Sequence, residues 1–233
     1  MKVCAIIPAA GQGTRMGGAV PKQFLTLNGK PVLSYALTAF EKCQLVESVI
    51  LVMPEKDVEA GRAEWMKRPG IVGNVVVGGA QRQDSVYHGF KALDTDTEIV
   101  IVHDGVRPFI TPQMIRQTVE AASQYGAAIT AIPVSDTIKQ VASDGLVERT
   151  IDRNGLWRVQ TPQAFRYKVL KEAFEKAFAG SFYGTDEGAL VEYTGMQVKV
   201  VSGSELNIKI TRPEDLVLGE CVARTVSIEN DID

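Results

Sequence analysis

The chain has 233 residues of ordinary globular composition, enough for one large α/β domain or two small ones. Lys plus Arg number 25 and Asp plus Glu 28, a net charge of −3, so no overall basic field draws it to nucleic acid or to an anionic membrane. No apolar run reaches the roughly 18 residues of a membrane span and no signal-peptide pattern opens the chain, so a cytoplasmic protein is expected.

The first element is the apolar run Val3–Ile7, which reads as a buried strand. It leads into Pro8-Ala9-Ala10-Gly11-Gln12-Gly13-Thr14-Arg15-Met16-Gly17, followed by Pro21-Lys22. Glycines at a strand end let bare N–H groups approach anionic oxygens, so the loop reads as a phosphate cradle, with Arg15 and Lys22 adding full charge. Two better-known loops do not fit. Met16 stands where the dinucleotide fingerprint needs its third glycine, and the Gly-Lys-Ser/Thr ending of a P-loop is replaced by Gly17-Gly18-Ala19-Val20.

Beyond the cradle, strand-like runs alternate with helical patterns. Val32–Phe40 reads as a helix, Val49–Val52 as a strand, Glu55–Arg68 as a charged helix, Val75–Val77 as a strand and Gln81–Leu93 as a helix. Ile99–Val102 is the next strand, Pro112–Tyr125 the next helix and Ala127–Ile132 the next strand. All five strands look buried on both faces, which predicts a mostly parallel sheet between helices. From Ser135 to Asp152 the pattern breaks into two polar, alternating runs around Ser143-Asp144-Gly145, a hairpin arm. An isolated hairpin is marginal in water, so a second subunit is its natural packing partner. Helix Val169–Phe178 and a last helix opening at Pro213-Glu214-Asp215 complete the layers. Cys4, Cys43 and Cys221 are far apart in sequence and read as reduced, mostly buried thiols.

In an open parallel sheet ligands gather beyond the carboxyl ends of the strands, which singles out the cradle, Gly78-Gly79-Ala80-Gln81-Arg82-Gln83-Asp84-Ser85, His103-Asp104-Gly105-Val106-Arg107-Pro108 and the cluster Asn207–Thr211. Asp104 can hold Mg²⁺ against a polyphosphate or simply cap an Asp-Gly turn. His103 reads as a satisfied, half-buried imidazole. Arg107 is equally a phosphate fork and a salt-bridge partner of Asp104, and Ser85 can serve a ligand or its own helix, the neighbouring glycines favouring the ligand. Asp94-Thr95-Asp96 precedes its strand, at the wrong edge of the sheet for catalysis, and Thr185-Asp186-Glu187 has the pattern of a helix start. Two histidines, His88 and His103, are too few for a histidine-built zinc or iron site, so any metal should be oxygen-bound Mg²⁺. Without a nucleophile–base pair, this inventory of cations and one carboxylate suits displacement at phosphorus by a nucleophile that is already ionised, such as a phosphate monoester.

Taken in order, Pro8–Met16, Pro21-Lys22-Gln23-Phe24, Gly78-Gly79 with Arg82, Ser85 and Val86, Val102–Pro108, Asp152–Trp157, Gln160–Gln163, Thr185–Glu187 and Asn207–Leu216 closely resemble the 2-C-methyl-D-erythritol 4-phosphate cytidylyltransferase family over nearly the whole chain. The resemblance implies a Rossmann-like sheet of the nucleotide-diphospho-sugar transferase type, a single nucleotidyltransferase domain over 1–233, with residues 135–152 a dimerising arm. It implies attack of an alcohol phosphate on the α-phosphorus of CTP with Mg²⁺ present. Arg15 and Lys22 match the transition-state stabilisers; Ala9, Ala10, Gly11, Gly13, Gly79, Ser85 and Asp104 match nucleotide positions, Asp104 also holding the metal. Arg153, Thr161 and Lys209 match the grip on the acceptor, with Arg107 and Thr137 contributing. Ala80 stands where many relatives carry Asp, which weakens a base-reading role for that side chain. A cytidylyltransferase for another acceptor, such as ribitol 5-phosphate, and a non-catalytic nucleotide-binding module are the competing readings.

Overall fold

Short, nearly continuous apolar runs, buried on both faces, set the architecture. The computed structural model describes residues 1–11, 25–66 and 70–230, with side chains up to residue 225. Strand β1 (Val3–Pro8) buries Val3, Ala5 and Ile7 on one face and Cys4 and Ile6 on the other. A strand apolar on both faces needs cover on both, and helices supply it.

In chain order, β1 is followed by a small hairpin, β2 (Thr26–Leu27) and β3 (Lys30–Pro31), then α1 (Val32–Lys42) and β4 (Ser48–Met53). A 3₁₀ turn, Glu55–Asp57, leads into α2 (Val58–Trp65), β5 (Val72–Val77), α3 (Arg82–Lys91) and β6 (Ile99–Val102). Next come α4 (Pro112–Tyr125), β7 (Ala127–Pro133), the arm strands β8 (Ile138–Val141) and β9 (Val147–Ile151), and β10 (Trp157–Arg166). The chain closes with α5 (Tyr167–Ala179), α6 (Glu187–Tyr193), β11 (Lys199–Ser202) and α7 (Pro213–Asn230).

Among the described residues seven strands form one sheet in the order β11-β7-β10-β6-β1-β4-β5. All neighbours are parallel except β10, which runs antiparallel to both β6 and β7. One face is covered by α1 and α4 through Leu33, Phe40, Ile115 and Val119; the other by α3, α5 and α6 through Val86, Phe90, Phe174 and Leu190. A third cluster, with Leu27, Val32, Phe109 and Ile210, seats the hairpin and α7 against the loops at the strands' carboxyl ends.

Two expectations change. Val75–Val77 was expected to be buried on both faces, but β5 is the sheet edge: Val75 is buried and Val77 is 41% exposed. Strands β10 and β11 have no counterpart in the sequence reading; β10 carries Gln160, Pro162 and Gln163, and β11 is a four-residue edge strand, so neither shows a sustained apolar run. Asp94 and Asp96 do lie on an exposed loop, each 2.7 Å from Lys2 Nζ at the strands' amino edge. Cys4 and Cys43 are free and buried, whereas Cys221 is free and exposed. The arm turns at Gly145, whose φ of 88° lies in the left-handed region that glycine adopts at little cost.

Candidate active site

The loops at the carboxyl ends of β1, β5 and β6 meet. A Cβ on Gly78 would overlap the Ala10 methyl, so glycine is what lets the turn after β5 lie against the segment after β1. Ala9 is fixed by its N–H donating to the Val52 carbonyl at 2.7 Å, and among the described residues nothing lies within 4 Å of where a Cβ on Gly11 would stand. Arg15, Lys22 and Gly13 lie outside the described residues. Gly79 N–H donates to Ser85 Oγ at 3.0 Å, and Ser85 in turn donates to the Gln81 carbonyl at 3.0 Å. That hydroxyl therefore braces the turn and its helix start.

From the same turn, Arg82 opens α3 and reaches Asp104, which emerges beyond β6. Its Nε and Nη2 both donate to Asp104 Oδ1 at 3.2 Å, while Nη1 donates to Glu187 Oε1 and Oε2 at 2.8 and 3.0 Å. Lys209 Nζ lies 2.7 Å from Asp104 Oδ2, and Arg107 Nε lies 3.9 Å from the same oxygen. Burial alone would raise the Asp104 carboxyl, but Arg82, Lys209 and Arg107 outweigh it and hold the group well below the usual carboxylate range. Asp104 is therefore a fixed anion. Burial pushes Glu187 up from its ordinary value, against the pull of Arg82.

Strand β10 brings the remaining wall because it runs antiparallel. Gln163 pairs with Val102, which places Thr161 past the end of β6; the ladder to β7 slips between Val159 and Gln163, releasing Gln160 and Thr161 from regular pairing. Thr161 lines a cavity of about 200 Å³ together with Arg82, Asp104, Arg107, Asp186 and Lys209. Arg107 Nη1 donates to the Asn207 carbonyl at 2.7 Å, yet its buried Nε has no hydrogen-bond partner among the described residues. His103 is wholly rather than half buried; burial lowers its pKa from 6.5 to about 4, so the ring is neutral at physiological pH.

The sequence-derived residues thus divide. Asp104, Arg107, Thr161 and Lys209 share one cavity, while Thr137 and Arg153 are exposed at the base of the arm and do not line it. Arg153 Nη1 donates there to the Ser135 carbonyl. Asp186 caps α6 by accepting from Ala189 N–H at 2.9 Å, as its sequence pattern suggested. Arg82 and Glu187 were not among the candidate site residues. A carboxylate only 1% exposed demands a cation, but the two are 105 positions apart and no local pattern pairs them.

Asp104 has the donor chemistry that Mg²⁺ takes. It is an ionised hard-oxygen donor, and its Oδ2 accepts one N–H, which leaves capacity for another ligand. No cluster of three His, Cys, Asp or Glu side chains that could cage a metal occurs among the described residues.

The sequence profile of the 2-C-methyl-D-erythritol 4-phosphate cytidylyltransferase family matches residues 3–225. The chain belongs to this family. It is 48% identical over 225 residues to the family enzyme of Pelotomaculum thermopropionicum, covering 96% of this chain and 94% of that one. With the Syntrophus aciditrophicus enzyme it shares 45% over 221 residues, 94% of each. The solved 4-diphosphocytidyl-2C-methyl-D-erythritol synthase of Anaerococcus prevotii superposes with a TM-score of 0.84 at 34% identity, covering 96% of both chains. The Thermus thermophilus family structure gives 0.78, also at 34%, over 96% of this chain and all of that one.

Proposed function

We propose that the chain joins CTP to 2-C-methyl-D-erythritol 4-phosphate, giving 4-diphosphocytidyl-2-C-methyl-D-erythritol and pyrophosphate, a step of non-mevalonate isoprenoid precursor biosynthesis. A phosphate oxygen of the acceptor forms a bond to the α-phosphorus of CTP as the bond from that phosphorus to the α,β-bridging oxygen breaks. No proton need move, because the nucleophile is already anionic; the protein's task is alignment and neutralisation of charge. The observation that carries the reading is the convergence of Arg82, Arg107 and Lys209 on one buried carboxylate at the sheet's carboxyl edge, in a chain that matches the family throughout.

In this reading Ala9, Ala10, Gly11 and Gly13 with Gly79 and Ser85 hold the nucleotide, and Arg15 and Lys22 stabilise the transition state. Asp104 would hold Mg²⁺, which would supply positive charge to the triphosphate. Lys209, Arg107 and Thr161 grip the acceptor from the cavity. Arg153 and Thr137 grip it from the arm, which pairs with a second copy. Val141, Leu146 and Val147 are 51, 69 and 58% exposed on that arm, apolar area suited to burial in a dimer. A cytoplasmic location goes with this reading; among the described residues no helix is long and apolar enough to cross a membrane, and Cys4 and Cys43 are free thiols.

The test is pyrophosphate release from CTP and Mg²⁺ with each candidate acceptor. Turnover is expected with 2-C-methyl-D-erythritol 4-phosphate, and Arg15→Ala or Lys22→Ala should lower kcat by at least about 10²-fold. Turnover with ribitol 5-phosphate alone, or CTP binding without turnover, would contradict the assignment.

A further inference from the structure

His103 forms a directional hydrogen-bond chain that the reaction as described does not use. The ring is 0% exposed and its hydrogen-bond contacts among the described residues are a carbonyl and a hydroxyl rather than a carboxylate, an environment for the neutral form; its Nε2 lies 3.0 Å from the Arg107 carbonyl oxygen, which can only accept, so Nε2 carries the single proton. Nδ1 is therefore bare. It lies 3.0 Å from Thr161 Oγ1, so the Thr161 hydroxyl must be the donor there. The same oxygen accepts the Asp104 backbone N–H at 3.0 Å. A hydroxyl has one proton and two lone pairs. With the proton given to His103 and one lone pair given to Asp104, Thr161 keeps a single lone pair for whatever enters the cavity it lines.

We propose that His103 is a positioning residue that fixes the polarity of the Thr161 hydroxyl, so that Thr161 accepts a hydrogen bond from an alcohol hydroxyl of the acceptor and donates none to its phosphate. This deepens the functional reading above and rests on it. An acceptor phosphate dianion offers only acceptor oxygens and must be met by donors, the role of Lys209 and Arg107 in the same cavity. A hydroxyl bears a proton that a bare lone pair can take. The cavity wall thus sorts the two ends of a polyol phosphate by hydrogen-bond polarity, and the buried imidazole, edge-on to Phe40 at 5.7 Å, holds that polarity in place.

Proton–nitrogen NMR of the His103 ring in the unliganded wild type tests the chain without reference to activity: protonation on Nε2 is expected, and protonation on Nδ1 would overturn the proposal. In kinetics, His103→Phe keeps the ring packing but frees the Thr161 proton; KM for the alcohol phosphate should rise about tenfold, with smaller changes in kcat and in KM for CTP. His103→Asn, whose side-chain carbonyl can again accept from Thr161, should recover most of that loss. An equal defect in both variants, or an equal rise in both KM values, would contradict a positioning role. Singly deoxygenated acceptors provide the check that does not need a His103 variant to fold. One of them should be penalised about tenfold by the wild type and not by Thr161→Val. A penalty unchanged in Thr161→Val would overturn the proposal. Absence of turnover with any alcohol phosphate in the wild type would overturn the functional reading instead.

Discussion

The cavity around Asp104 and the arm Ile138–Ile151, with Thr137 and Arg153 at its base, hold the proposed acceptor residues, yet they are built in opposite ways. In the cavity the charged groups are paired within the chain: Asp104 and Glu187 are 9 and 1% exposed at their side chains, and Arg82 bridges them. On the arm, both strands are exposed almost throughout, and no neighbour among the described residues buries the apolar side chains of Val141, Leu146 and Val147. The first region is pre-organised within one chain; the second leaves its apolar side chains uncovered. Under the proposed function, half of the acceptor grip then belongs to the fold and half to assembly.

Breaking the bridge in the cavity should have the largest effect. Arg82→Leu leaves two buried carboxylates without their shared cation, and urea unfolding should show a loss of about 3–5 kcal/mol. A loss below about 1 kcal/mol would mean that the cavity is not pre-organised by this bridge.

The pH dependence of the same region comes next. The His103 ring titrates at about 4 in the folded chain against an ordinary 6.5, so the unfolded chain binds a proton that the folded chain refuses between those values. Its contribution to stability is complete above pH 6.5 and falls as pH drops, by about 3 kcal/mol at pH 4. Asp104 does not confuse the comparison, since its depressed pKa costs stability only below the ordinary carboxylate range. Between pH 7 and 4 the unfolding free energy of wild type should therefore fall by about 3 kcal/mol relative to that of His103→Phe; parallel curves would contradict the buried neutral ring.

On the open surface, outside both regions, the effect should be smallest. Arg158 and Glu205 form a 2.6 Å ion pair with side chains 52 and 65% exposed, and Arg158→Ala should change stability by less than about 1 kcal/mol. A larger loss would show that burial is not what makes the cavity bridge strong.

How legible each region was in the sequence follows from the same contrast. β1, β6 and β7 announce themselves as β-branched runs because both faces are buried, and the residues directly after β1, β5 and β6 are the ones that meet. Strand β10 is hidden by Pro162 and its glutamines, so the arrival of Thr161 beside Asp104 could be expected only through the family resemblance. Arg82 and Glu187 escaped because their pairing depends on α3 and α6 docking on one face of the sheet, a non-local consequence of topology. The arm was visible as a break in the strand–helix rhythm around Gly145.

Subunit complementation tests the two-region account most directly. Lys209→Ala removes a cavity group and Arg153→Ala an arm group, and each alone should be nearly inactive. If one copy's cavity works with the other copy's arm, a mixed dimer holds one intact site of two, so an equal mixture allowed to exchange subunits should regain about a quarter of wild-type turnover. A mixture no more active than either variant would contradict the division of the acceptor grip between two chains.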